Sequence, residues 1–175
     1  MAPASAPVLA AALLLLVAGV GKVRRPTYTV GALKSVGLRT GPRSVRALGL
    51  AEIAIGLAAF GAGGPVPSAL VGLSYVGFTG FLVLALRKGG AVSSCGCLGR
   101  PDTPPTRTHA AVTTALGIAG LVAAAAGGVD LRELAWSATD VSLLAFTALV
   151  TWLVWLAFAV LPHARLPQVS RLGGR

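Results

Sequence analysis

Long uncharged stretches alternate with short basic ones along this chain. Met1 to Gly21 carries no charged side chain, Ala47 to Leu86 carries only Glu52, and Ala110 to Val129 and Val141 to Pro162 carry none. A helix needs about 20 predominantly apolar residues to cross the hydrocarbon of a bilayer, so each of the shorter stretches predicts one span. The longest stretch is interrupted at Gly61–Pro67 by Gly-Ala-Gly-Gly-Pro-Val-Pro, which predicts two spans joined by a tight turn. The pattern thus predicts an all-α polytopic membrane bundle with spans at roughly 6–22, 46–62, 67–86, 109–127 and 141–161.

Between the first two spans, Tyr28 to Leu38 mixes apolar residues with Lys34 and suits a short helix lying along the interface. Arg87 to Thr108 holds Gly89, Gly90, Gly96, Gly99, Pro101, Pro104 and Pro105 and reads as a loop, with Thr106 or Thr108 placed to cap the helix that follows. Spans two and three are dotted with Gly49, Gly56, Gly61, Gly72, Gly77 and Gly80, the small residues that let membrane helices approach closely. Trp152 and Trp155 suit the headgroup belt or lipid-facing packing.

Composition agrees with the pattern. Of the 175 residues 55% are hydrophobic and 11% charged, against roughly a quarter charged in a soluble domain. The net charge of +10 would suggest nucleic acid in a soluble chain, but here the cations sort by membrane side. With five spans, 14 of the 15 Lys and Arg residues share one face, and only Arg132 lies on the other, beside Asp130, Glu133 and Asp140. The positive-inside rule then places the basic face in the cytoplasm and the N-terminus outside, with the lipid bilayer and no nucleic acid as partner. The first span is kept as a helix and not read as a signal peptide, because its basic cluster Lys22, Arg24, Arg25 follows the apolar run.

The two cysteines, Cys95 and Cys97, sit on one loop. A disulfide between them would close a small, strained ring, and strained disulfides exchange readily. Gly96 removes the side chain that would obstruct the bend. Arg87, Lys88, Arg100 and Arg107 supply positive potential that favours the reactive thiolate. Two other readings stay open: soft thiolates also hold Cu(I), and the pair can be structural. Cys95, Cys97 and His109 are too few for a closed zinc site, so no metal is assigned.

Three further residues join the candidate site. Glu52 is the one ionisable side chain deep in a span, six residues past Arg46, or about 9 Å in from the basic face. Lys22, ending span one at that face, is its natural partner, either to lock two helices or to handle protons. His109 opens span four on the same side, where its titration range suits proton exchange as well as a plain surface role.

Three motifs recur in order: Ala18-Gly19-Val20-Gly21-Lys22, Ala51-Glu52-Ile53-Ala54-Ile55-Gly56 and Ser94-Cys95-Gly96-Cys97-Leu98-Gly99. Together they resemble the methylamine utilisation protein MauE family, within the wider DoxX-like redox-associated membrane proteins, over about Val8 to Val129. Leu98 stands where that family's Cys-Gly-Cys signature has an aromatic residue. The resemblance implies a four-helix membrane domain over residues 1–129, with the Cys-Gly-Cys loop at 87–108. Residues 130–161 then add a further transmembrane helix, and 162–175 form a basic tail. It also implies thiol–disulfide exchange through Cys95 and Cys97 with a thioredoxin-like partner, in support of a client protein's maturation. Glu52 and Lys22 would organise that site, His109 would relay protons, and a membrane quinone is the conjectured electron acceptor. The alternatives are a Cu(I)-binding module and a non-catalytic membrane assembly factor. Disulfide formation belongs to an oxidising compartment, whereas the charge count puts the cysteines on the cytoplasmic face; the count is preferred.

Overall fold

The computed structural model describes residues 5–88, 105–131 and 137–159, the last with the backbone alone at 143, 150 and 154–159. Among these residues the chain is all helical: α1 (Ser5–Arg24), α2 (Pro26–Ser35), α3 (Pro42–Gly61), α4 (Pro65–Arg87), α5 (Arg107–Ala125) and α6 (Ala138–Ala159). Four of them, α1, α3, α4 and α5, are long and apolar enough to cross a membrane. They coincide with the first four predicted spans to within four residues at every end. The outer surface stays apolar, with Leu57, Leu73 and Ile118 exposed on three different helices, as a lipid-facing surface should be. The chain is a multi-pass membrane protein.

Proline sets three of the helix starts. Pro26, Pro42 and Pro65 open α2, α3 and α4, where the missing N–H costs nothing and the fixed φ is already helical. The turn between α3 and α4 passes through Gly63 and Gly64, both at positive φ. Gly64 donates its N–H to Val129 O at 2.9 Å. Ser68 Oγ closes the same corner, donating to Gly64 O at 2.9 Å and accepting from Val129 N–H at 3.2 Å. A Cβ on Gly128 would overlap the Gly64 carbonyl, and its φ of 89° is itself left-handed, so only glycine fits there.

Two close helix pairs build the bundle, α1 against α3 and α4 against α5, with α1 also touching α4, α5 and α6. Glycine sets both approaches. A Cβ on Gly19 would lie 2.6 Å from Gly49 O, and one on Gly49 would lie 2.7 Å from Gly19 O. Between α4 and α5 a Cβ on Gly120 would lie 2.7 Å from both Cα and N of Gly72. The expectation of packing glycines therefore holds at Gly49, Gly56 and Gly72, whereas a Cβ at Gly61, Gly77 or Gly80 would meet nothing within 4 Å. The central core joins Ala11, Ala12 and Leu15 of α1 to Ala59 of α3 and to Val71 and Tyr75 of α4. Tyr75 satisfies its buried hydroxyl by donating to Ala11 O at 3.0 Å.

Helix α2 covers one end of this bundle. Its buried side lies against α3 and α1, and Ala32, with Val36 just beyond the helix, packs on Ala85 of α4 with Phe81 beside them. Lys88 Nζ then donates to Val36 O at 2.6 Å, a cation placed on the carbonyl end of α2 where the helix dipole favours it.

Candidate functional site

The end of the bundle that α2 covers gathers the C-termini of α1 and α4 and the N-termini of α3 and α5. Lys22 lies in the last turn of α1. The Gly19–Gly49 contact brings the α1 and α3 backbones together beside it, close enough for a Cβ on Gly49 to sit 3.0 Å from Lys22 Cβ. From there the lysine stem reaches along α3, and Nζ donates to Glu52 Oε2 at 2.7 Å. Both side chains are sequestered, at 8% and 13% exposure.

The partnership expected from the sequence is therefore formed. Helix α3 begins at Pro42 and not near Arg46, so Glu52 stands ten residues into it, about 15 Å along the axis. Net neutrality explains how a carboxylate is accommodated there: the ammonium satisfies it directly, and an unpaired charge would be expensive. Both glycines at the crossing precede their charged partner by three residues, Gly19-x-x-Lys22 and Gly49-x-x-Glu52. That spacing puts glycine and charge on one helix face, and it is the signal by which the sequence marks this contact.

His109 lies in the first turn of α5 and is buried. Thr106 is the helix cap: its Oγ1 accepts from His109 N–H at 3.2 Å and lies 2.8 Å from Nδ1. One hydroxyl thus both ends the helix and holds the imidazole. One turn further on, Thr113 accepts from Thr79 Oγ1 at 2.8 Å, tying α5 to α4. Thr106→Ala is expected to cost about 1 kcal/mol, the ordinary value of a lost cap. The measurement is the shift in unfolding midpoint in mixed micelles, with the His109 ring signal in NMR broadening in parallel.

Cys95 and Cys97 lie outside the described residues, which resume at Pro105. The described residues on either side of them, Lys88 and Pro105, both lie at this end. Lys88 is an anchor that the sequence reading counted only as positive potential; its bond to Val36 O joins elements 52 positions apart, a separation with no sequence signature. Among the described residues, no group of three or more His, Cys, Asp and Glu side chains is placed to hold a metal ion.

A family model described as methylamine utilisation protein MauE matches residues 2–130. No curated protein and no solved structure matches the chain.

Proposed function

The chain belongs to the MauE family of membrane proteins linked to methylamine utilisation, and on that premise we propose that it exchanges thiols and disulfides through Cys95 and Cys97. The observation that carries the reading is that the matched residues 2–130 include the Cys95-Gly96-Cys97 motif. Supporting it, the segment bearing the motif is flanked by Lys88 and Thr106, at the end of the bundle where the Lys22–Glu52 pair and His109 also lie. Cations and the N-terminus of α5 lower the cost of a thiolate at that end.

The exchange balances as two displacements. The Cys95 thiolate attacks a disulfide in a thioredoxin-like partner, forming a mixed disulfide and releasing one partner thiolate. Cys97 then attacks the Cys95 sulfur and expels the second partner sulfur. The partner leaves as a dithiol, having gained two electrons and two protons, and the chain keeps a Cys95–Cys97 disulfide. The net direction is the reverse of these two displacements: the Cys95–Cys97 disulfide oxidises a partner dithiol, and a membrane quinone accepts the resulting two electrons and two protons. In this reading Lys22 and Glu52 set the shape of the site, and His109 relays protons. Helix α6 completes five crossings, and the basic end faces the cytoplasm by the positive-inside rule.

Trapping tests the reading. Cys97→Ala should accumulate a partner covalently joined through Cys95, visible as a reducible band that Cys95→Ala/Cys97→Ala lacks. Copper retained through purification and lost in the double variant would favour a Cu(I) module instead. Full support of client maturation by the double variant, with neither band nor metal, would leave an assembly factor. Labelling of Cys95 and Cys97 in intact cells by a membrane-impermeant thiol reagent would contradict the cytoplasmic placement.

A further inference from the structure

The segment joining α1 to α3 is the most strongly charged surface of the described protein. Arg24, Arg25, Lys34, Arg39, Arg43 and Arg46 are all exposed, and no Asp or Glu occurs from Val23 to Ala51. Glu52, which ends that interval, is already neutralised by Lys22. Six cations therefore stand together with no acid of their own segment to balance them.

Position and orientation limit what can balance them. The segment runs from the last residue of one membrane-crossing helix, Arg24, to the first of another, Pro42, and so lies at the membrane boundary. Helix α2 has already spent its apolar stripe on the protein, with Val30, Ala32 and Val36 buried and the last two packed on Ala85 of α4. An interfacial helix that inserts among acyl chains needs that stripe free. What α2 turns outward instead is Thr27, Tyr28, Lys34 and Ser35. Such a face recognises headgroups. Tyr28, 40% exposed, is an amphipathic ring of the kind that settles at headgroup level.

We propose that the α1–α3 connection, with α2 at its centre, is a docking surface for the phosphates of anionic phospholipids. The protein would thus select acidic lipids as its boundary on the face that also carries the Cys95–Cys97 segment. The inference stands apart from thiol chemistry and survives or fails without it.

The test is competitive lipid retention by the full chain, purified in a neutral detergent and read by native mass spectrometry. Phosphatidylglycerol and phosphatidylcholine with identical acyl chains are supplied in equal amounts. Phosphatidylglycerol should be retained in preference, and its retention should fall as salt rises. Each cation near such a surface strengthens binding roughly fivefold. Arg25→Gln/Lys34→Gln/Arg39→Gln should therefore weaken phosphatidylglycerol binding about a hundredfold, leaving phosphatidylcholine unchanged. The matching variant Arg25→Lys/Arg39→Lys should keep the preference. Arg165→Gln/Arg171→Gln/Arg175→Gln, in the C-terminal tail, should also keep it. The proposal is overturned if the unaltered protein shows no preference, or if its preference ignores salt. It is equally overturned if the tail substitutions abolish the preference while the α2 substitutions spare it, or if millimolar inorganic phosphate displaces the lipid.

Discussion

Lys22→Met should destabilise the bundle by about 3–5 kcal/mol, the usual consequence of removing one partner from a buried ion pair. The variant keeps the stem that packs beside Gly49 but strands the Glu52 carboxylate ten residues into α3. Glu52→Gln should cost less, about 1.5–3 kcal/mol, the range for a lost hydrogen bond to a charged group. The asymmetry follows from position. Lys22 lies two residues from the end of α1, so its flexible stem allows the ammonium to snorkel toward the headgroups once the carboxylate is gone. Glu52 has a short side chain and no such exit. The double variant Lys22→Met/Glu52→Gln should recover much of the loss, because replacing both partners leaves no charge behind. Detergent-titrated unfolding followed by circular dichroism measures all three. A strictly additive cycle would mean that the two groups do not sense each other.

Gly120→Ala should destabilise the α4–α5 pair by about 1–3 kcal/mol or more from overpacking. The new Cβ would meet the Cα and N of Gly72 at 2.7 Å and Ser68 O at 3.1 Å. All three are backbone atoms, so no rotamer change relieves them, and α4 and α5 must part. Parting them also strains the Thr79–Thr113 bond and shifts the α5 N-terminus, with Thr106 and His109. Gly77→Ala on α4 is the control, since its Cβ would meet nothing within 4 Å. That change should be neutral or stabilising by up to about 1 kcal/mol through helix propensity. Equal effects of the two substitutions would show that α4 and α5 do not pack through glycine.

Helix boundaries show how far a linear reading reaches. Hydropathy placed the start of the second span near Arg46, because Arg43 and Arg46 interrupt the apolar run. The backbone begins the helix at Pro42 and carries both arginines on its first turns. A helix starts where its N–H groups and φ angles permit, not where its side chains become apolar. The added turn lies on the far side of Arg46, so Glu52 stands ten residues into the helix yet still about 9 Å along its axis from Arg46. The Lys22–Glu52 pairing was nonetheless legible, because a lone carboxylate in a span needs a cation and Lys22 was the one at hand.

Composition and periodicity along the chain determined the class of protein, the four apolar helices among the five spans it predicted, a capping threonine at 106 or 108 and the residues worth suspecting. Those properties are local: they depend on transfer free energy and on backbone geometry within a few neighbours. Which glycines serve as contact points, which carbonyl holds Lys88 and which way α2 turns its stripe were decided only by the packing of helices distant in sequence. Gly72 and Gly77 look alike in a linear reading, yet one touches a neighbouring backbone and the other meets open space. Close packing makes a residue's role depend on what lies across from it, and that partner is chosen by the whole bundle.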